Sequence, residues 1–246
     1  SGVAPAIAGT QTAALAAGGN TGSVTAATEF YDGSSWSSRP NLATARTLGG
    51  GSGTSSAAMI AGGGTPGNTA VSEEFNTSIY SPIAATWASG VNLSTGRYAL
   101  GGTGTQTAAL AISGRTSPST YSPATEEYDG ASWTSSGAVG TARYTMATGG
   151  TQTAAIISMG YNGGTITTTE LYNGSSWTSG TSSNTTRYNL GSGGTQTSFL
   201  AFGGKESGPP ISNATEEWDG SSWTTTGTLG TARYQLSGNN IGTQTA

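Results

Sequence analysis

A tryptophan that is followed ten residues later by an arginine recurs five times along this chain of 246 residues. Successive tryptophans lie 44 to 51 residues apart, so the pairs divide the chain into units of similar length. The pairs are Trp36 and Arg46, Trp87 and Arg97, Trp133 and Arg143, Trp177 and Arg187, and Trp223 and Arg233. Such a spacing indicates an architecture in which each repeat packs only against its neighbours.

Other residue types also recur at fixed distances from the repeat arginines. Sixteen residues after each of the first four repeat arginines a doublet ending in glycine begins, and a glutamate close to an aromatic residue follows it. The doublets are Gly62-Gly63, Ser113-Gly114, Met159-Gly160 and Gly203-Gly204, and the first unit has Gly18-Gly19. The repeat glutamates are Glu29, Glu73, Glu126, Glu170 and Glu216. We predict that repeat arginines, glutamates and tryptophans are structural, the charges pairing inside the fold, because a buried charge without a partner is costly.

Each unit is predicted to form four short strands, a to d. Strand a begins at the arginine and ends in a turn such as Gly-Thr-Gln-Thr, and strand b is a short apolar run such as 154–157. Strand c carries the glutamate and an aromatic residue two positions apart, hence on one face. An Asp-Gly or Asn-Gly turn, which is a strong hairpin signal, leads to the tryptophan of strand d.

Strand b is apolar on both faces, so both faces have to be covered. Small residues dominate the inner strands and aromatic residues the outer ones, which is the gradient that a tapering ring of sheets requires. We therefore predict an all-β fold: a five-bladed β-propeller with four antiparallel strands per blade, closed by a terminal strand. It would be one domain over residues 1–246, with units at about 9–45, 46–96, 97–142, 143–186 and 187–232 and a closing strand or tail at 233–246.

Two segments compete to complete the first blade. Residues 231–238 keep the Arg-Tyr pair of the repeat, whereas residues 2–9 lack the arginine and contain Pro5. We favour the C-terminal segment because it keeps the repeat pair. The other segment would then be a spare edge strand that could pair with a neighbouring molecule.

The unit resembles the kelch repeat: an apolar strand ending in Gly-Gly, then Glu-x-Tyr-Asp, then a tryptophan, then an arginine after a spacer. This resemblance covers essentially the whole chain and implies the same propeller. The recurrent Gly-Thr-Gln-Thr-Ala and Glu-Glu-Tyr-Asp-Gly-Ser-Ser-Trp segments are also similar to kelch-like arrays in structural proteins of tailed phages, especially marine ones. That second resemblance implies a virion-associated or otherwise extracellular location.

The composition argues against catalysis. The chain has no Cys and no His, so it lacks thiolate ligands and the commonest general base and metal ligand. Neighbouring carboxylates such as Glu126 and Glu127 point to opposite faces of a strand and do not form an acid–base pair. We expect no enzyme activity, no cofactor and no metal. With 8 Lys+Arg and a net charge of −4, nucleic acid is not an expected partner, and no apolar run is long enough for membrane insertion.

The loops differ in how much they vary between units. The a–b and c–d turns are nearly constant, whereas the b–c connections differ most, and in a propeller they share one face with the d–a connections. A varied face is typical of recognition surfaces, although neutral drift on tolerant solvent loops also explains it. Candidate ligand-binding residues on this face are Arg39, Arg115, Tyr121, Tyr161, Lys205 and Glu206. An insertion in the second c–d turn is a candidate docking loop through Ile79, Tyr80, Pro82 and Ile83.

Three functions fit these observations. The first is a non-catalytic structural or recognition propeller in a virion fibre, tail or other extracellular appendage, contacting proteins of the same assembly or a cell-surface glycan or receptor. The second is a lectin-like glycan-binding propeller. A repeated lectin site would carry the same aromatic residue in every b–c loop, but only Tyr121 and Tyr161 occur there, which favours the first function or a single asymmetric site. The third, an intracellular peptide adaptor, usually needs more free arginines than Arg39 and Arg115.

Overall fold

Five sheets of four antiparallel strands stand in a ring around one axis in the computed structural model, which describes residues 5–65, 67–77, 86–208 and 210–236. The predicted fold class, an all-β five-bladed β-propeller, is confirmed. Within those ranges no helix has the length and apolar character needed to cross a membrane.

Each blade runs from an inner strand a beside the axis to an outer strand d. Blade 1 contains β1 (Ala6–Thr10), β2 (Ala13–Ala17), β3 (Thr28–Tyr31) and β4 (Trp36–Arg39). Blade 2 contains β5 (Gly50–Gly53), β6 (Ala57–Ala61), β9 (Ser72–Asn76) and β10 (Thr86–Ser89), with the short strands β7 (Gly64–Thr65) and β8 (Gly67–Asn68) in its b–c loop. Blade 3 contains β11 (Gly101–Thr105), β12 (Ala108–Ile112), β15 (Thr125–Tyr128) and β16 (Trp133–Ser136), with β13 (Arg115–Ser117) and β14 (Thr120–Tyr121) in its b–c loop. Blade 4 contains β17 (Ala147–Thr151), β18 (Ala154–Ser158), β19 (Thr169–Tyr172) and β20 (Trp177–Gly180). Blade 5 contains β21 (Gly191–Thr195), β22 (Ser198–Phe202), β23 (Ala214–Trp218) and β24 (Trp223–Thr228).

The inner strands approach one another so closely that some of their glycine positions have no room for a side chain. A Cβ atom built on Gly102 of β11 would lie 2.9 Å from the carbonyl oxygen of Gly51 in β5. Farther out, each buried hydrophobic cluster joins two adjacent blades; one of them combines Ile156 of blade 4 with Phe199 and Trp218 of blade 5. Small residues therefore lie on the inner strands, where the blades are close together, and large residues lie on the outer strands, where the blades are farther apart.

Strand a begins later than predicted. The inner strands of blades 2 to 5 start four residues after the first four repeat arginines, as β17 does at Ala147 after Arg143. The cause is a backbone turn: the residue two positions after the arginine has a positive φ, for example 51° at Thr145, which breaks the extended conformation. Leu48, Ala99, Asn189 and Gln235 have the same conformation.

The N-terminal segment completes the first blade. Strand β1 pairs with β2 from Ala6 opposite Ala17 to Thr10 opposite Ala13, so it occupies the inner position. Our preference for the C-terminal segment was wrong, because residues 233–236, the described part of the predicted closing strand 233–246, belong to no strand. Their backbone instead continues the d–a connection of blade 5, where the amide of Gln235 donates to the carbonyl of Asn189 at 2.8 Å.

Four of the predicted arginine–glutamate pairs are present, and each joins two consecutive blades. They are Arg46 with Glu73, Arg97 with Glu126 at 2.6 Å, Arg143 with Glu170 at 2.5 Å, and Arg187 with Glu216 at 2.9 Å. The arginines are at most 1% exposed. In each pair Nη1 also donates to the carbonyl sixteen residues onward, for example that of Met159 for Arg143, which explains the fixed spacing of the doublet. Burial lowers the pKa of the Arg143 guanidinium, and Glu170 opposes that shift.

The repeat tryptophans also join blades. The indole Nε1 of Trp223 in blade 5 donates to Oγ1 of Thr169 in blade 4 at 3.0 Å, and Trp87 and Trp177 make the equivalent bond to Thr28 and Thr125. In blade 3, Trp133 packs at the same junction, but its Nε1 has no hydrogen-bond partner among the described residues. These four tryptophans therefore pack at the junctions between neighbouring blades.

The fifth set of repeat residues differs from the other four. Glu29 and Arg233 are exposed and form an ion pair with no described residue, and Trp36 is 50% exposed. Their predicted structural roles are not seen, because they face the junction between blade 5 and blade 1. There the described residues make none of the inter-blade contacts found elsewhere.

Two tyrosines at blade junctions should lose their hydroxyl protons only at unusually high pH. Burial, together with hydrogen bonds to Glu74 and Glu127, raises the pKa of Tyr128 and Tyr172 to about 12. A raised tyrosine pKa adds stability that is complete below the unfolded pKa of about 10 and lost as the pH rises through the folded value. We expect an absorbance titration to show tyrosinate forming near pH 12, with one such group lost in Tyr128→Phe. Glu74→Gln should move the Tyr128 transition to lower pH; an unchanged transition would contradict this assignment.

Candidate functional site

The variable face is built where the d–a and b–c connections meet. The residue after a repeat arginine pairs with the residue after the glycine doublet, giving isolated bridges between Tyr98 and Arg115, between Tyr144 and Tyr161, and between Tyr188 and Lys205. The amides of Tyr98 and Arg115 each donate to the other's carbonyl, at 3.0 and 2.9 Å. Each bridge therefore holds a side chain of a d–a connection next to a side chain of the b–c loop in the blade that follows it.

A continuous series of tyrosine rings crosses this face from blade 3 towards blade 5. Tyr121 stacks on Tyr144 with 5.7 Å between centroids and 6° between planes. Tyr144 contacts Tyr161 edge-on at 5.6 Å, and Tyr161 contacts Tyr188 at 5.4 Å. We call these four residues, together with Tyr98 and Arg115, the tyrosine belt. Its side chains are half-buried and so remain accessible to a ligand.

Arg115 is the charged centre of the tyrosine belt. Its guanidinium carbon lies 4.5 Å from the ring centroid of Tyr144 and 5.6 Å from those of Tyr98 and Tyr121. Its Nε is buried and has no hydrogen-bond partner among the described residues. Burial raises the pKa of Tyr144, and Arg115 opposes that shift. The ring contacts hold the guanidinium in place and leave it able to donate to a ligand.

A small pocket of about 80 Å³ opens on the same face. It is lined by the residues at positive φ and those that follow them, among them Ala99, Thr145 and Asn189. Backbone hydrogen bonds run from one blade to the next along this rim, from the Thr145 amide to the Ala99 carbonyl at 3.0 Å and from the Asn189 amide to the Thr145 carbonyl at 3.1 Å. Tyr98, Tyr144 and Tyr188 each precede a pocket residue, so the belt and the pocket share one scaffold.

The structure brings together three of the predicted ligand-binding residues, Arg115, Tyr121 and Tyr161. Lys205 extends the series, with its ammonium 6.0 Å from the ring centroid of Tyr234, and Glu206 is its half-buried neighbour.

Two other predictions have different outcomes. Arg39 is the last residue of β4 and not part of the following loop, and its guanidinium lies 4.8 Å from the ring centroid of Phe30, away from the belt. The predicted docking loop residues Ile79, Tyr80, Pro82 and Ile83 lie outside the described residues.

Sequence reasoning missed the tyrosines that follow the repeat arginines. Tyr98, Tyr144 and Tyr188 were treated as part of a strand, although their recurrence directly after an arginine was a visible signal.

Sequence reasoning also missed the glutamine of the a–b turn. Nε2 of Gln152 donates to the carbonyls of Ala109 and Tyr128 in the preceding blade, at 3.1 and 2.6 Å. The a–b turn is therefore nearly constant because its glutamine joins one blade to the preceding one.

Comparison with known proteins gives no family for this chain. No protein-family model and no curated protein matches it. The site therefore has to be interpreted from its own geometry. Over the described ranges no group of three or more acidic side chains is arranged to hold a metal ion, and the tyrosine belt contains no carboxylate of its own.

Proposed function

We propose that this chain is a non-catalytic recognition propeller that binds a glycan at the tyrosine belt. The observation that carries the proposal is the contact of Arg115 with three tyrosine rings beside a pocket on the varied face. A rigid platform of this kind binds with little loss of side-chain freedom, because its rings already pack against one another.

The chemistry of the belt suits a sugar. Tyrosine rings offer flat apolar faces for the C–H surface of a pyranose, and their hydroxyls donate and accept hydrogen bonds. The guanidinium of Arg115 can donate to sugar hydroxyls or, bidentately, to the carboxylate of an acidic sugar. Only blades 3 to 5 contribute rings to the series among the described residues, which supports a single asymmetric site and not five equivalent ones.

The kelch-type identity of the repeat and a place in a virion fibre, tail or other extracellular appendage belong to the same proposal. They are supported by the recurrent Gly-Gly, Glu-x-aromatic, Trp and Arg positions and by the Gly-Thr-Gln-Thr-Ala segments. A fibre or appendage that contacts a cell surface needs a module that recognises a glycan or receptor, which is the role assigned here to the varied face.

The proposal is tested with a glycan array of neutral and acidic sugars, followed by affinity measurements on the best ligand. Tyr144→Ala should weaken binding roughly tenfold or more, because it removes the ring that contacts Tyr121, Tyr161 and Arg115 at once. Tyr121→Ala and Tyr161→Ala should weaken it less, since each removes one end of the series.

The matched control is Tyr31→Ala. Tyr31 is also half-buried, but its hydroxyl donates to the carbonyl of Gly33 in a c–d turn on the opposite face, so sugar binding should not change. A thermal unfolding curve for each variant separates lost binding from lost folding. An array without any bound sugar would refute the glycan ligand and leave the purely structural role; equal losses in Tyr144→Ala and Tyr31→Ala would refute the site.

A further inference from the structure

The residue that follows the glycine-ending doublet begins the b–c loop and lies on the varied face. In blades 3, 4 and 5 this residue is Arg115, Tyr161 and Lys205. Each of the three forms an isolated bridge with a tyrosine that follows a repeat arginine, these tyrosines being Tyr98, Tyr144 and Tyr188. The varied face therefore presents one tyrosine between two cations, all three in equivalent positions of consecutive blades.

The N–H groups of Arg115 make no hydrogen bond with any described residue. Its Nε is buried and unpaired, whereas its Nη1 and Nη2 are not buried. The arginines at the blade junctions differ, because both of their Nη atoms donate to the protein, as those of Arg143 do. Three tyrosine rings already hold the guanidinium of Arg115, so its planar fork is oriented in advance for a planar anion such as a carboxylate.

Lys205 is the second cation of this surface, and it forms an ion pair with no described residue. It is bridged to Tyr188, whose ring lies 5.4 Å from that of Tyr161, so it stands at the blade 5 end of the tyrosine series. Among the described residues of the b–c and d–a connections, Glu206 is the one carboxylate. Two unpaired cations therefore share the varied face with a single negative charge.

Most other carboxylates of the chain are away from the varied face. Asp32, Asp129 and Asp219 lie in c–d turns on the opposite face, where turn amides donate to their side chains. Hydrogen bonds from Ser35 and Ser34 lower the pKa of Asp32 to about 2, so it stays ionised. Four glutamates are paired with buried arginines at the blade junctions. The chain has a net charge of −4, yet the surroundings of the tyrosine belt are suited to an anion.

We propose that the sugar bound at the tyrosine belt is acidic: a pyranose that carries a carboxylate, as uronic and sialic acids do. This inference rests on the proposed glycan function and names the class of sugar. Arg115 binds the carboxylate through two parallel N–H···O bonds while the sugar ring packs on the tyrosines beside it. Lys205, at the other end of the series, attracts the charge of a further acidic unit in the same oligosaccharide.

The test uses the whole chain and a panel of uronate and sialylated oligosaccharides, each beside its own methyl ester, together with neutral and sulfated sugars. The ester keeps the ring and the linkage but removes the charge. Calorimetric titration should show an acidic sugar binding roughly tenfold or more tightly than its ester, because a hydrogen bond to a charged group is lost. Added salt should weaken binding of the acid and leave that of the ester unchanged.

Arg115→Gln should remove most of the preference for the acid over its ester, and Arg115→Lys, which keeps the charge but not the fork, should retain part of it. The matched control is Arg39→Gln. It removes the same charge from a guanidinium that lies over Phe30, away from the belt, so the preference should not change. A thermal unfolding curve shows whether each variant is folded.

The outcomes separate this inference from the proposed function. A neutral or sulfated sugar as the best ligand, or equal binding of an acid and its ester, would overturn the acidic class and leave the glycan function standing. A preference that survives in Arg115→Gln, or that falls equally in Arg39→Gln, would overturn the role of Arg115. If no sugar of any kind binds, the glycan function fails and this inference fails with it.

Discussion

Replacing Arg143 with alanine is expected to lower the free energy of unfolding by about 3–5 kcal/mol, the usual cost of removing one partner from a buried ion pair. Arg143 is fully buried and donates to the carboxylate of Glu170 and to the carbonyls of Met159 and Thr168. Without it, Glu170 keeps only the amides of Gly140 and Thr141 among the described donors. The carbonyls of Thr141, Met159 and Thr168 each lose one donor. Urea unfolding measures the loss.

The chain supplies a matched control in Arg233→Ala. This arginine has the same place in the repeat and the same tyrosine after it, but it is exposed and pairs with no described carboxylate. We expect a change within about 0.5 kcal/mol, as for other surface substitutions. Arg143→Lys keeps the charge but not the planar fork, so it should fall between the two. Equal losses in Arg143→Ala and Arg233→Ala would contradict the assigned pairing.

Replacing Trp223 with alanine is expected to cost about 3–5 kcal/mol, as for other buried aromatic residues. The indole packs at the junction of blades 4 and 5 with Phe199 and Trp218, at ring-centroid distances of 6.0 and 5.6 Å. Its Nε1 also donates to Thr169 of the preceding blade, so the substitution opens a cavity and leaves a buried hydroxyl without that donor. The midpoint of chemical unfolding should fall accordingly.

Trp36→Ala is the control for this substitution. Trp36 begins strand d of blade 1 as Trp223 begins strand d of blade 5, but half of its surface is exposed. The unfolding free energy of a dilute sample should change by less than about 1 kcal/mol, because little packing is lost. A loss for Trp36→Ala as large as that for Trp223→Ala would mean that blade 1 is packed at both faces within one chain.

Much of the fold could be predicted because residue types that recur at the same position in every unit mark the positions that are buried. The spacing of Trp133 and Arg143 recurs in every unit, and the glutamate of strand c alternates with its neighbours as a strand requires. Those patterns identified four strands per blade, the order of the strands and the pairing of four arginines with four glutamates. They also predicted a varied face that holds Arg115, Tyr121 and Tyr161.

Other features could not be derived in the same way. The positive φ at Thr145 belongs to a residue type that rarely adopts it, so nothing in the sequence marked the delayed start of strand a. The tyrosine belt depends on Tyr144, in the connection between blades 3 and 4, meeting Arg115 and Tyr121 of the b–c loop of blade 3. The separation of such residues along the chain differs from unit to unit.

The amino-acid sequence by itself determined that the chain folds as a ring of small sheets, because small residues near the axis and aromatic residues farther out fit only a tapering arrangement. Only the tertiary structure decided which terminus completes the first blade and which repeat residues remain exposed. The physical reason is that the repeat specifies the same local contacts in every unit. Whether Glu29 forms an ion pair with an arginine depends on the geometry of the whole ring, which the sequence of a single unit does not determine.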